Sequence, residues 1–345
     1  MQKVEKKKWE REITEYIAHY SNESAPTESI RRYLGSYFKH MREETNASGN
    51  TIRIRYFCLS VFEEWLSKNN INDIKTVTSK EIQAYLCYCI ASRSQGNSQL
   101  KCTKVALRDF FSCVVRLRET LENPTENMIV STRTVSRDYA ILTPEEMIAL
   151  IRAAYERYDR YSESGHKDKR HKYYALRDIA MVMVMSATGI RTGELCAIRL
   201  SEVDIAGGVI AINGKGNHIY VKKHRKVYID IPEVIEAISR YIAVRPDCGS
   251  DVLFCSYDGE PTANYAVIAA VKQLARRAGI RRNITPMAFR HTICSAMTHN
   301  GADPFSVREL MGHKKLLTTL HYYTHFNAEQ LRSQNTSFNP LRGGV

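Results

Sequence analysis

Two arginines in the second half of the chain stand where helices are predicted to begin. Arg191 follows Gly189, which interrupts an apolar helical segment, and Arg290 follows a Thr-Pro pair. At such a position a guanidinium group can present a planar pair of donors to phosphate oxygens. Two of them suit a phosphodiester whose transition state carries extra negative charge. For Arg191 taken alone, an ion pair with Glu194 in a surface turn is the alternative.

A histidine and a tyrosine follow, ten residues apart. His313 stands across a predicted turn from Tyr323, so the two side chains could share one active site. Tyr322 is the rival for any role of Tyr323. A metal site is the other interpretation of the histidines here, but only His321 and His325 have one-turn helical spacing and no carboxylate accompanies them. We therefore predict no metal site.

The composition points to an anionic partner. The chain has 345 residues and a formal net charge of +13, and nucleic acid is the usual partner of a basic protein without membrane features. No apolar run is long enough to span a membrane, and no apolar signal core follows the charged first residues. The nine cysteines form no C-x-x-C pair, which predicts reduced thiols in the cytoplasm and neither disulfides nor zinc.

The first half of the chain has the apolar spacing of helices. We predict a charged arm over residues 1–25, outside the first compact domain, and a small four-helix domain over residues 26–124. Thr78 and Glu81 form a predicted capping box. On the fourth helix Lys101, Lys104 and Arg108 lie away from the apolar stripe, where they could line a phosphate backbone. A solvated charged face is the alternative for these three.

The second domain is predicted to open after a linker, residues 125–142. Thr143, Pro144 and Glu146 supply an N-cap, a proline in the first turn and a capping-box glutamate. We predict a catalytic domain over residues 143–333, a charged loop over residues 157–172 and a tail over residues 334–345. Short β-branched runs at residues 209–213 and 227–231 flank a Gly-Lys-Gly segment and predict a hairpin.

The second domain resembles the catalytic domain of the tyrosine recombinase (phage integrase) family. The resemblance lies in the order of five features along the chain: Arg191, the Gly-Lys-Gly segment around Lys215, Arg290, His313 and Tyr323. The first domain resembles the core-binding domain of that family, and the resemblance covers about residues 27–333. The chain resembles integrases of conjugative transposons more than it resembles the shortest chromosome-dimer resolving enzymes. The resemblance implies a mainly α-helical fold with a small antiparallel β-sheet, closing as a C-shaped clamp around duplex DNA.

The resemblance also implies a role for each residue. Arg191 and Arg290 would hold the scissile phosphate, and Lys215 would protonate the departing 5′ oxygen, although a turn lysine without function is the alternative. His313 would contact the phosphate and assist the tyrosine. Tyr323 would attack phosphorus and leave a 3′-phosphotyrosine, a reaction that needs neither ATP nor a metal or other cofactor.

One position departs from the family pattern. Met287 stands three residues before Arg290, where the family usually has a histidine, and a thioether cannot handle a proton. We expect His313 or water to take over that duty, or cleavage to be slow. His291 is interpreted as structural.

We expect a site-specific DNA recombinase of the cytoplasm, associated with the nucleoid. The resemblance implies four protomers that synapse two double-stranded DNA sites and exchange strands through a Holliday junction. The segment after Tyr323 would dock onto a neighbouring protomer. A DNA-binding regulator that kept the fold and lost cleavage is the alternative from another class, supported only by Met287. A type IB topoisomerase would share the chemistry without synapsis.

Overall fold

The computed structural model describes residues 2–20, 30–45, 47–93, 96–117, 122–126, 128, 140–163, 169–213, 224–247, 249–322 and 332. The chain divides into two compact units, Met1–Ser136 and Arg137–Val345. The division falls inside the segment that we predicted as a linker, and the predicted tail at residues 334–345 lies outside the described residues. No helix in the described ranges is long and apolar enough to cross a membrane.

The first unit is helical. Its elements are α1 (Gln2–Tyr20), α2 (Ile30–Glu43), α3 (Gly49–Lys68), a 3₁₀ turn (Ile74–Thr76), α4 (Ser79–Ala91) and α5 (Asn97–Arg116). Large aromatic side chains fill the core, where ring pairs add to the gain from apolar burial. The fully buried ones are Phe38, Phe62, Tyr85, Phe110 and Phe111.

The first helix differs from the arm that we expected outside the compact domain. Trp9 and Ile13 of α1 are buried in the core of the first unit, and Tyr16 and Ile17 pack against it. The Tyr16 hydroxyl donates to Glu63 of α3 at 2.8 Å. These four residues recur at helical spacing and form one apolar face, but the many charges between them obscured it in the sequence.

Both predicted capping boxes are present. The backbone N–H of Thr78 donates to Glu81 at 2.8 Å, and the Thr78 hydroxyl accepts from the backbone of Lys80. At the start of the second unit, Thr143 N–H donates to Glu146 at 3.0 Å, and Glu146 N–H donates to the Thr143 hydroxyl at 3.2 Å. The side chains satisfy backbone donors that a helix start leaves unpaired.

The second unit combines helices with a small sheet, as the resemblance implied. Its long helices are α6 (Pro144–Glu163), α7 (Lys169–Thr188), α9 (Pro232–Ile242), α10 (Asn264–Arg277) and α11 (Pro286–His299). Shorter ones are α8 (Thr192–Leu195), α12 (Pro304–Met311) and α13 (Leu316–Leu320), with a 3₁₀ turn at Leu200–Glu202. Helix α7 is buried over most of its length, so the core forms around it.

The sheet is antiparallel in the order β1 (Val203–Asp204), β2 (Val209–Asn213) and β3 (His224–Tyr228). Strand β2 has its predicted limits, but β3 begins three residues before the predicted run at 227–231. The register pairs Val209 with Tyr228 and Asn213 with His224, so pairing with β2 ends at Tyr228. The β-branched residues beyond it lead into α9 instead.

The charged segment at residues 157–172 is largely helical and not the loop that we predicted. Helix α6 continues to Glu163 and α7 begins at Lys169, while residues 164–168 lie outside the described part. Arg157 is buried and donates to Asp178 at 2.6 Å, and Arg177 also binds that carboxylate. Pairing with Asp178 offsets the cost of burying the Arg157 side chain inside the helix pair.

Candidate active site

The C-terminus of α12 is the centre of the site. Gly312 has a φ of +63°, and the N–H groups of Gly312 and His313 return to the carbonyls of Glu309 and Arg308 at 3.1 and 3.0 Å. This is the Schellman arrangement, in which a residue in the left-handed region closes a helix. A Cβ at position 312 would lie 2.9 Å from the Arg225 guanidinium, so the contact as well as the φ angle favours glycine.

Three consecutive carbonyl groups at this helix end accept hydrogen bonds from three arginines. The C-terminal carbonyls of a helix lack partners within the helix and carry partial negative charge, so they attract cations. The pairs are Arg225 Nε with Leu310 O at 3.0 Å, Arg290 Nη2 with Met311 O, and Arg191 Nη2 with Gly312 O at 2.8 Å. One turn of backbone therefore gathers side chains from three distant segments.

Arg290 is the most deeply buried of the three. It lies on α11, which Pro286 begins, and its side chain is held between two carbonyls because Nη1 also donates to Gly189 O at 3.1 Å. The residue is 3% exposed. Burial, together with the charge of Arg191, lowers its pKa to about 10. Arg290 therefore stays protonated at neutral pH, as a buried cation that an anion would stabilise.

Arg191 immediately precedes α8 and is the accessible member, with 39% of its side chain exposed. Its Nη1 donates to Glu194 at 3.0 Å. The ion pair that we weighed against a phosphate role therefore exists, but it does not lie in an isolated surface turn. Glu194 is largely buried, and Arg191 also reaches the Gly312 carbonyl.

Arg225 is a member of the site that sequence reasoning missed. Its Nη1 and Nη2 donate to the two oxygens of Glu194 at 2.9 and 2.7 Å, and its side chain is only 10% exposed. Burial alone would raise the pKa of Glu194, but bonding to Arg225 and the charge of Arg191 bring that pKa below its ordinary value. The alternation of side chains along β3 could have indicated this residue. Arg225 stands two residues before buried Val227, so both side chains lie on the same face of the strand.

His313 follows Gly312 and points into the same region. It is 5% exposed, and its Nδ1 lies 2.9 Å from the Thr319 hydroxyl on α13. Burial and then the charges of Arg290, Arg191 and Arg225 lower its pKa to about 4. The imidazole is therefore neutral at pH 7, and with Nδ1 engaged its other nitrogen can exchange a proton.

His291 contacts the rival tyrosine. Its Nδ1 lies 2.5 Å from the Tyr322 hydroxyl, and the rings stack with centroids 6.0 Å apart. Tyr322 also packs against a small apolar cluster formed by Cys294, Val307 and Met311. The Tyr322 hydroxyl is thus engaged with α11.

The structure brings together Arg191, Arg290 and His313. Met287 lies in the first turn of α11, exposed to solvent, one helical turn before Arg290. Lys215 and Tyr323 lie outside the described residues. Within the described ranges, no group of three or more histidine, cysteine, aspartate or glutamate side chains could hold a metal ion.

The predicted DNA-contacting cations lie on α5 of the first unit. Lys101 and Arg108 are exposed, whereas Lys104 is partly covered. Burial and the neighbouring charge of Arg108 lower the pKa of Lys104. The three cations follow one side of the helix at helical spacing.

Chemically, the site is a cluster of cationic side chains beside a neutral imidazole. Three arginines face one glutamate there, so the described side chains carry excess positive charge. Such a cluster can bind a phosphate diester and stabilise additional negative charge on it. The imidazole can accept a proton from a nucleophile that comes close to it.

Comparison with known proteins gives matches over both units. Residues 142–330 match the model of the phage integrase family, and residues 34–117 match its N-terminal SAM-like domain. The chain is 27% identical over 314 residues to tyrosine recombinase XerD of Staphylococcus aureus, covering 89% of this chain and 98% of that protein. Identity to XerD of Staphylococcus saprophyticus is 28% over 313 residues, with the same coverage.

Solved structures with the same fold include two bound to DNA. The Tn1549 transposon integrase in complex with a circular intermediate DNA superposes with a TM-score of 0.66 at 18% identity, covering 90% of this chain and all of that one. The XerH site-specific recombinase, in a post-cleavage complex with a palindromic difH substrate, gives a TM-score of 0.67 at 18% identity, covering 94% of both chains. At these identities the likeness concerns the fold.

Proposed function

The chain belongs to the phage integrase family and is a tyrosine-type site-specific DNA recombinase, and we propose that it cleaves duplex DNA by forming a 3′-phosphotyrosine at Tyr323. The observation that carries this proposal is the convergence of Arg191 and Arg290 on adjacent carbonyls beside His313. A guanidinium has five N–H groups. Among the described residues, Arg191 donates to Glu194 and Gly312, and Arg290 donates to Gly189 and Met311. The other N–H groups of Arg191, whose side chain is 39% exposed, and of Arg290 would bind the oxygens of the scissile phosphate.

Three kinds of side chain take part in breaking and forming the bonds to phosphorus. The Tyr323 oxygen attacks phosphorus as the bond from phosphorus to the 5′ oxygen breaks, and Lys215 gives that oxygen a proton. Arg191 and Arg290 stabilise the added negative charge of the transition state. Rejoining reverses these steps with a 5′ hydroxyl as the nucleophile, and the phosphotyrosine conserves the energy of the broken bond.

Without a histidine at position 287, His313 or a water molecule accepts the proton of the tyrosine. His313 can fill this role because its imidazole is neutral at pH 7 and therefore has a nitrogen free of a proton, although its pKa of about 4 makes it a weak base before DNA binds. A bound phosphate would add negative charge beside the imidazole, raise that pKa and so make His313 a stronger base.

Residues 26–124 act as the core-binding domain and residues 143–333 as the catalytic domain, with Lys101, Lys104 and Arg108 on the phosphate backbone. Four copies synapse two sites and exchange strands through a Holliday junction on nucleoid DNA, and the segment after Tyr323 docks onto a neighbour. DNA bound in the structures of the Tn1549 integrase and XerH supports duplex DNA as the partner.

The test traps the covalent intermediate on a nicked duplex, so that religation cannot occur. The duplex carries a binding site selected from a library of random sequences. Wild-type protein, Tyr323→Phe and Tyr322→Phe are compared on a denaturing gel. An adduct that is absent only in Tyr323→Phe is the expected result.

Two outcomes would contradict the proposal. Tight specific binding without any wild-type adduct would favour a regulator of the same fold that lost cleavage. Relaxation of a supercoiled plasmid that lacks the selected site would favour topoisomerase activity over recombination.

A further inference from the structure

The contact between His291 and Tyr322 is not explained by phosphate binding or by proton transfer. His291 follows the phosphate clamp Arg290 directly on α11, and Tyr322 immediately precedes Tyr323. The 2.5 Å contact between His291 Nδ1 and the Tyr322 hydroxyl therefore joins two residues that are each adjacent in sequence to a residue assigned to the reaction.

Tyr322 is also packed against other side chains around this contact. Its ring stacks on His291 and packs against Cys294 and Met311, so it is held from both α11 and α12. Those helices also carry Arg290 and the turn that ends in His313. Phosphate clamp, imidazole and the residue before Tyr323 thus belong to one packed body.

We propose that His291 is a positioning residue for DNA cleavage, which holds the hydroxyl of Tyr322 and thereby restricts where the Tyr323 nucleophile can lie. The proposal rests on the assignment of Tyr323 as the nucleophile. Consecutive Cα atoms are about 3.8 Å apart across a trans peptide bond, so an anchored Tyr322 limits the positions open to the next residue. Restricting a nucleophile before reaction removes part of the entropic barrier.

Neutral histidine suits this role. Burial and the adjacent charge of Arg290 lower the pKa of His291. The uncharged ring can therefore accept a hydrogen bond from the tyrosine hydroxyl at Nδ1 near neutral pH.

Three variants distinguish the effect of the hydrogen bond between His291 and Tyr322 from the effect of general packing. Tyr322→Phe removes only the hydroxyl. His291→Leu removes the acceptor, whereas His291→Asn keeps a polar atom near the place of Nδ1. Tyr155→Phe on α6 is the control, because it removes a half-buried hydroxyl from the same unit away from the site.

The measured quantity is the single-turnover rate of adduct formation from enzyme already bound to the nicked duplex. Tyr322→Phe and His291→Leu should each slow it about 2- to 12-fold, the effect of one net hydrogen bond. His291→Asn should recover most of the rate, and Tyr155→Phe should match wild type. The double variant His291→Leu with Tyr322→Phe should be no slower than the slower single variant, because both remove the same contact.

DNA affinity and thermal unfolding are measured in parallel, and both should stay near wild type in Tyr322→Phe. Wild-type or faster cleavage in Tyr322→Phe and His291→Leu would overturn the proposal, as would additive effects in the double variant. A Tyr322→Phe protein that never forms adduct, together with an active Tyr323→Phe protein, would instead refute Tyr323 as the nucleophile. An inactive Tyr323→Phe with wild-type rates in the other variants would leave the nucleophile in place and refute the positioning role alone.

Discussion

Gly312→Ala perturbs the turn that holds the three arginines. The added methyl group would lie 2.9 Å from Nη1 of Arg225, closer than real Cβ atoms approach a neighbour, and 3.1 Å from its Cζ, which is a tight contact. Arg225 cannot move aside freely, because three hydrogen bonds fix it to Leu310 and Glu194. The substitution should therefore strain the backbone and displace Arg225.

The cost has two parts. An L residue in the left-handed region costs about 1–2 kcal/mol. Losing one hydrogen bond between Arg225 and its buried partner costs about 1.5–3 kcal/mol more, the range for bonds to charged groups. Gly312→Ala should lower the free energy of unfolding of the second unit by about 2.5–5 kcal/mol.

Gly279→Ala is the matched control. Gly279 has a φ of +74°, but a Cβ added there meets no atom of the described residues within 4 Å. It should lose only the backbone contribution of about 1–2 kcal/mol. The difference between the two variants isolates the contact with Arg225.

The assay is urea unfolding of the full chain, followed by far-ultraviolet circular dichroism. Both tryptophans, Trp9 and Trp65, lie in the first unit, so tryptophan fluorescence reports that unit separately and should not change. The rate of adduct formation should fall on the order of 100-fold in Gly312→Ala, since a misplacement of about 1 Å has that effect. Equal destabilisation by the two substitutions, or an unchanged rate in Gly312→Ala, would refute this reasoning.

Three further predictions concern pH, DNA and the first helix. Stability should fall by at most about 3 kcal/mol as pH drops from about 6.5 to about 4. The folded protein holds the pKa of His313 at about 4, whereas the unfolded chain already binds the proton in this range. His313→Gln should reduce this loss of stability at low pH in urea titrations, and an unchanged loss would exclude His313 as its source. Replacing Lys101, Lys104 and Arg108 with alanine should weaken the dependence of DNA binding on salt. The slope of log K against log salt concentration should fall by about 0.9 for each phosphate that the variant no longer neutralises. An unchanged slope in band-shift titrations would assign these cations to a solvated face. Ile13→Ala should destabilise the first unit by about 2–5 kcal/mol, seen as earlier unfolding by tryptophan fluorescence, whereas no change would mean that α1 does not pack there.

Much of the fold was predictable because local signals agreed with the final structure. The capping boxes at Thr78 and Thr143 and the strand at 209–213 depend on a few neighbouring residues. Errors arose where distant partners decide the outcome. The register with β2 sets the limits of β3, and burial against α2 and α3 makes the charged segment of α1 part of the core.

The site was predictable only in part. Motif order identified Arg191, Arg290 and His313, whose proximity could then be anticipated from the family resemblance. Arg225 lacked such a motif, and its partner at Leu310 is a backbone carbonyl. A carbonyl is present at every position of a chain, so no residue type indicates which one will be used.

The gathering of arginines at the end of α12 has a consequence for protein synthesis. The side chains come from positions 191, 225 and 290, but the carbonyls that hold them come from residues 310–312, which the ribosome adds after all three arginines. Domains generally fold as units during translation, beginning with the N-terminal one. The first unit can thus fold while the arginine cluster is still incomplete, and a nascent chain that ends before residue 310 lacks the carbonyls that hold the three arginines.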